Sequence, residues 1–522
     1  MLKEGRGITR FYNLTNFIRY TNNSNTLFLK KNHLLLVSIS ILFLFSLFAF
    51  LWTEESYNAI EITSIWVRNY FGYFYLYLGF GCVLILLAIA LSPLGKLKLG
   101  NKNQKPEHSL WAWTAMLYSA GMGAGILLRA VQEPVFMQQH QPYNSNLSAE
   151  TLALEYTFYQ WGFTAWAFYG LFAMVVGYAL FVQKKKVSVS ATIEDSFKNK
   201  PVRFGIDIMT IITTVFGLIA AIGLGTAQIN GGLNHVFSAN FGIGTTILLA
   251  ILVSTLAFIS AWKGVNKGIK IISKLNILIT LLLLLFIFFT SDMLTILVFF
   301  GKATYHYILD FVPMSLALEN YNPGLSFLTD WTFYYWAFWL AWAPFTGIFI
   351  ARISKGRTLR QLLLGVLLIP SLGTFFWFSV FGTSAFQLIE GWGTYNNEFG
   401  NVFSSIFVFF ENYPMATFLN FVTLIVLIGF LVTSVDSAVF VLSMFTDKGK
   451  QNPKKKHRLI WSVFILLATI SLLLLGNVKP DIDILVAVQK LLIITSLPFA
   501  FFMVVMAVAF LRTVLKKAPS KI

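Results

Sequence analysis

The stretch HLLLVSISILFLFSLFAFLW, residues 33–52, contains no Asp, Glu, Lys or Arg. As a helix it would be about 30 Å long, the thickness of a bilayer's hydrocarbon core. It is too long for the apolar part of a signal peptide and lacks a small-residue cleavage site. It therefore reads as a membrane-spanning helix. Further along, apolar segments of the same kind recur at 69–93, 110–137, 153–183, 205–236, 241–262, 271–299, 327–351, 361–388, 414–444, 458–475 and 484–512. With 34–52 they make twelve. The expectation is an all-α polytopic membrane protein with 12 transmembrane helices.

Composition agrees. Of 522 residues, 57% are hydrophobic, 17% aromatic and only 12% charged, against about 25% charged in a soluble domain. So few charges cannot cover a water-facing surface, which excludes an ordinary soluble enzyme and a disordered chain. The net charge of +17 would suggest nucleic acid in a soluble protein. Here the basic residues gather in alternate linkers: Lys96/Lys98/Lys102/Lys105, Lys184–Lys186, Lys263/Lys267/Lys270, Arg352/Lys355/Arg357/Arg360 and Lys454–Lys456. The other linkers carry acid instead, at Glu54, Glu55, Asp292, Asp310, Glu390, Glu398, Glu411 and Asp481. By the positive-inside rule both termini are cytoplasmic. No nucleic-acid partner is expected; the partner is the lipid bilayer. Residues 1–32 form a basic segment suited to anionic headgroups, and 513–522 a short tail. Cys82 stands alone inside an apolar run, and the six histidines show no ligand spacing. Ser291–Pro323, containing Leu294–Phe300 and Tyr305–Leu316, reads as a helix lying on the outer surface, and Val402–Phe410 as a short interfacial or re-entrant helix.

Polar groups inside a membrane are costly, so each is a candidate site. The third segment holds Ser119-Ala120-Gly121-Met122-Gly123-Ala124-Gly125 and then Arg129 and Glu133-Pro134. The alternate glycines either unwind the helix or let another pack closely. Arg129 and Glu133, four apart, either neutralise each other or leave Arg129 facing a cavity, where its planar fork would hold a carboxylate. The tenth segment carries Thr433, Ser434, Asp436 and Ser437. Its hydroxyls either bond their own helix carbonyls or ligate an alkali cation. Trp161, Trp166 and Tyr169 fall within an arc of about 140°, and Trp336, Trp339 and Trp342 within about 120°, at helical spacing. Most lie well inside their segments rather than at the interfaces. Interior aromatic faces suit a quaternary ammonium, which has no N–H to donate, at roughly 0.5–2 kcal/mol per ring.

These residues resemble the betaine/choline/carnitine transporter family over nearly the whole spanned length. The likeness rests on Ala120–Gly125 with Glu133-Pro134; on Trp161, Trp166 and Tyr169; and on Gly223-Leu224-Gly225 with Gln228. It rests further on Asp330-Trp331-Thr332 through Trp342-Ala343-Pro344-Phe345 to Ala351–Thr358, and on Val432–Ser437. The resemblance implies a leucine-transporter-type 5+5 inverted repeat with two extra N-terminal helices, alternating access and a homotrimer. Peripheral helices would occupy 33–109, the first repeat 110–300, a surface-helix linker 301–326 and the second repeat 327–512. It places the substrate ammonium among Trp161, Trp166, Tyr169 and Trp339, flanked by Met122, Gly123 and Gly125. Trp336, Phe338 and Trp342 would line an outer route. A sodium ion would use carbonyls of Ser119, Met122 and Phe430 and hydroxyls of Thr433 and Ser434.

Three departures matter. Gly125 stands where proton-coupled choline transporters carry an acid. Arg129 stands where an aromatic residue is usual, which either favours a zwitterion or a more anionic substrate or supplies a built-in cation in place of sodium. Phe338 replaces a common tryptophan. The expected function is sodium-driven import of a zwitterion such as glycine betaine, not catalysis. The alternatives are sodium-independent exchange of carnitine-like compounds and carriage of a sulfonate or sulfonium osmolyte.

Overall fold

A computed structural model describes residues 32–517 apart from positions 102, 122, 187, 264, 265, 451, 480 and 481, and leaves the side chains of 119–121, 261, 263, 266–270 and 517 undescribed. Among the described residues there is no strand, only one isolated bridge between Lys98 and Thr358. The helices run α1 (His33–Leu51), α2 (Thr53–Leu91), α3 (Leu110–Gly121), α4 (Ala124–Arg129), α5 (Gln132–Gln139), α6 (Ala149–Trp161), α7 (Phe163–Phe181), α8 (Lys200–Val236) and α9 (Ile243–Lys263). They continue with α10 (Asn266–Thr290), α11 (Met293–Leu316), α12 (Leu325–Leu328), α13 (Tyr334–Ile353), α14 (Leu359–Trp392), α15 (Ser405–Phe410), α16 (Ala416–Thr446), α17 (Lys455–Leu475) and α18 (Ile484–Lys517). A wide π-type turn, Thr329–Phe333, leads into α13.

Eleven stretches of helix among the described residues are long and apolar enough to cross a membrane. The expected third segment is not one of them, because it is cut into α3, α4 and α5, none long enough alone. Gly123 is extended, at φ −138° and ψ −176°, so the helix cannot pass through it. The fourth segment is also cut, between α6 and α7, where Gly162 sits at φ −94° and ψ −134°. A Cβ there would lie 2.5 Å from the Phe158 carbonyl and 2.8 Å from both Phe375 and the Tyr307 hydroxyl, so only glycine fits.

The seventh segment ends sooner than expected, at Thr290. Asp292 stops it by starting α11, its carboxylate accepting from Leu294 N at 3.0 Å and Thr295 N at 3.2 Å. The linker is one 24-residue helix, ended by Ala317 in the left-handed conformation. It packs on α6 and α14. Its Tyr307 is fully buried, and the Tyr307 hydroxyl accepts a hydrogen bond from Phe163 N, the first amide after the break, at 2.9 Å.

The core forms around α13, which packs on α2, α7, α8 and α18. Small residues let it approach. Gly347 abuts Phe172 of α7, and Gly79 of α2 leaves room for the Trp336 indole. The basic linker after α13 is more than an orientation signal. Arg360 donates to the carbonyls of Ala90 (2.6 Å) and Ser92 (3.2 Å) at the end of α2. Arg357 donates to the carbonyls of His108 and Ser109 and lies over the Trp113 ring, 4.2 Å from its centroid.

Tyr307→Phe removes the acceptor for a buried amide while keeping the ring. The expected cost is about 1–3 kcal/mol, read as a lower thermal unfolding midpoint in detergent. An unchanged midpoint would show that the break does not depend on α11.

Candidate functional site

The two helix breaks lie close to each other, Gly125 after the first and Trp161 before the second being in contact. α4 is fixed by Trp377 of α14, whose Nε1 donates to the Ile126 carbonyl at 3.2 Å. A Cβ built on Gly123 meets no described atom within 4 Å, so open space adjoins the extended turn. A Cβ on Gly125 would sit 3.7 Å from the Trp161 ring, which places α4 against the end of α6. At that end, Trp339 of α13 donates from Nε1 to the Gln160 carbonyl at 3.0 Å. The broken helix thus leaves a carbonyl that an indole from across the interface satisfies.

These anchors bring four predicted rings into one chain. Trp161 and Trp339 meet edge-to-face with centroids 5.1 Å apart, Trp339 and Tyr169 at 6.3 Å, and Tyr169 and Trp166 at 5.4 Å. All four are under 9% exposed. Two rings that the sequence reading missed join them. Tyr335 lies 5.7 Å from Trp161 and stacks near Trp339 at 5.8 Å, and Phe378 of α14 lies 5.1 Å from Trp161.

Arg129 and Glu133 are both buried, yet they do not pair. Arg129 donates from Nη1 to Gln132 Oε1 at 2.6 Å, and its guanidinium lies 4.9 Å over the Trp331 ring. Glu133 accepts from Trp161 Nε1 at 3.2 Å on each oxygen and from the Tyr335 hydroxyl on Oε2. The two thus make no direct ion pair, although each lies within electrostatic range of the other.

The sequence profile described as the betaine/carnitine/choline family of transporters matches residues 33–519. The chain belongs to this family. It is 35% identical to a glycine betaine transporter of Bacillus subtilis (strain 168) over 88% of this chain and 90% of that one. It is 33% identical to an ectoine/hydroxyectoine transporter of Virgibacillus pantothenticus, covering 86% and 89%. It is 34% identical to a high-affinity choline transport protein of Escherichia coli (strain K12), covering 89% of this chain and 69% of that one. The protein is thus a multi-span membrane transporter and not an enzyme.

Not every predicted site residue of this family member reaches the ring chain. Trp336 is fully buried on another face of α13, beside Gly79 and 5.2 Å from Tyr159. Trp342 is half-buried between Phe338 and Phe345, one turn past Trp339 toward the basic end of α13. The ring at the acidic end is Trp331, which also meets Phe136 of α5 at 4.7 Å. A signal for Trp331 and Tyr335 existed in the sequence, since with Trp339 they repeat every four residues on one helix stripe.

The expected ion ligands divide. Met122 lies outside the described residues, and of Ser119 only its place in α3 is described. α16 is unbroken. The Thr433 hydroxyl donates to its own helix, to Gly429 O at 2.9 Å and Phe430 O at 3.1 Å, while Ser434 lies beside it, partly exposed. Asp436 lies within electrostatic range of Arg458 on α17.

Trp339→Phe keeps an aromatic face but deprives the Gln160 carbonyl of its donor. An unmet buried carbonyl costs about 1–3 kcal/mol, so the unfolding midpoint should fall even if ligand affinity is largely kept. A midpoint equal to wild type would remove this indole from its structural role.

Proposed function

We propose that the chain is a secondary active transporter that imports a quaternary-ammonium zwitterion of the glycine betaine type across the bacterial plasma (inner) membrane. The carrying observation is the linked ring chain Trp161–Trp339–Tyr169–Trp166 beside the broken third segment. Aromatic faces attract a methylated cation without needing acceptors. Arg129, buried and lying over Trp331, is placed to meet a substrate carboxylate near the acidic end of α13. Relatives named for glycine betaine, choline and ectoine support this substrate class.

The transport cycle on this reading is sodium symport with alternating access. One ion sits between the third segment and α16, held by carbonyls of Ser119, Met122 and Phe430 and by Thr433 and Ser434. Thr433 must then turn its hydroxyl oxygen from its own helix toward the ion. Each sodium that enters with a neutral zwitterion adds about 2.3 kcal/mol per 100 mV of potential to the driving force. The same reading places both termini in the cytoplasm, pairs 110–300 with 327–512 as inverted repeats, and assembles three copies. Exchange without sodium, with Arg129 as a built-in cation, finds less support. The guanidinium lies over Trp331, before α13, and bonds Gln132.

The deciding experiment is uptake of radiolabelled glycine betaine into proteoliposomes, with ectoine, choline, carnitine, taurine and a sulfonium zwitterion as competitors, with and without an inward sodium gradient. Uptake against a gradient is expected. Trp339→Leu should raise the half-saturation concentration by roughly tenfold, the value of one or two lost ring contacts. Unchanged affinity would remove the aromatic argument.

The ion site is tested by Thr433→Ala and Ser434→Ala. Each should raise the sodium concentration for half-maximal uptake, with the substrate curve shifting in the same sense because the two sites are linked. A sodium titration indistinguishable from wild type would refute it.

A further inference from the structure

We infer that Glu133 is the positioning residue of the aromatic site. It holds Trp161 and Tyr335 by their polar edges and acts on substrate through those rings rather than by touching it. The inference rests on the aromatic reading proposed above.

Glu133 is fully buried, and a buried carboxylate must find donors. Arg129, the nearest cation in sequence, lies within electrostatic range but gives it no hydrogen bond, bonding Gln132 and lying over Trp331 instead. An acid in the first turn of a helix often serves its own helix end. Glu133 in the first turn of α5 reaches outward instead. Its donors are the Trp161 indole N–H, equidistant from both oxygens at 3.2 Å, and the Tyr335 hydroxyl. Both belong to rings in the site.

An indole in a cage has two surfaces to offer. Its face binds a cation, and its N–H edge sets the angle at which that face is presented. The edge of Trp339 is taken by the Gln160 carbonyl at 3.0 Å, and that of Trp161 by Glu133. Both indoles are therefore fixed by their edges, so what they can present to a ligand is ring and not N–H. A carboxylate accepting from the indole N–H also pushes electron density into the ring, which makes the face more attractive to a methylated ammonium. Glu133 is itself held in register by Pro134, whose ring lies where a Cβ on Gly382 of α14 would come within 2.8 Å. One carboxylate thus joins α5 to Trp161 on α6 and to Tyr335 on α13.

The test uses the full-length transporter purified in detergent for binding, read by tryptophan fluorescence with glycine betaine, and reconstituted for uptake. Glu133→Gln keeps an acceptor oxygen but loses the charge and one of the two acceptor positions. The half-saturation concentration should rise roughly tenfold, while the maximal rate per folded transporter stays within about twofold of wild type. Tyr335→Phe, the milder variant, should raise it by a smaller factor. The decisive comparison is a cycle. In a Trp161→Phe/Tyr335→Phe background, which keeps rings but has no donors, adding Glu133→Gln should cause no further loss.

A full additional loss in that background would overturn the inference by showing direct contact with substrate. So would a Glu133→Gln variant, or a Tyr335→Phe variant, that lowers only the amount of folded protein and leaves half-saturation unchanged. Failure of the underlying reading looks different. Wild-type protein with no saturable glycine betaine binding, or a Trp339→Leu variant of unchanged affinity, would overturn both.

Discussion

A helix that breaks inside a bilayer exposes backbone groups where no water can reach them. The centre of this transporter is organised by that constraint. The third segment breaks at Gly123 and again between α4 and α5, and the fourth breaks at Gly162. Side chains from elsewhere take up the freed groups. Trp377 donates to the Ile126 carbonyl, Trp339 to the Gln160 carbonyl, and Tyr307 accepts from the Phe163 amide. Each bond is long-range in sequence and ends on an aromatic side chain. Trp339 is therefore both part of the proposed binding surface and the backbone's substitute for solvent.

Much of this was legible in the sequence. Uncharged runs of bilayer length gave the spans, and charge alternation separated two kinds of linker. The alternate glycines marked the first break, and interior tryptophans at helical spacing marked three elements of the ring chain. The break at Gly162 was not legible. Its neighbours Trp161 and Phe163 are apolar, so hydropathy runs through it, and the tight environment that demands glycine comes from Phe375 and Tyr307, far away in sequence. Trp336 shows the opposite limit. Spacing cannot tell two adjoining faces apart when a helix is buried on nearly every side, and only the gap at Gly79 assigns that indole to α2. Glu133 was visible as a buried acid, but its partners were not, because they lie on α6 and α13 rather than one turn away.

The two elements expected to flank a coupling ion are built differently. The third segment is open at Gly123, while α16 is a continuous helix whose Thr433 hydroxyl is engaged with carbonyls one turn back. On the proposed reading this asymmetry has a use. The broken side offers carbonyl oxygens at no cost to helix bonding, and the intact side offers a hydroxyl that needs only a rotamer change, on the order of 1 kcal/mol. Intact α16 then remains a rigid rail, and the adjustable parts lie on the side already unwound.

The long linker helix α11 is no passive strap. Through Tyr307 it grips the hinge between α6 and α7, and along its length it rests on α14. Because the Tyr307 bond ends on the Phe163 amide, any displacement of α11 would bear first on the point where the fourth segment breaks.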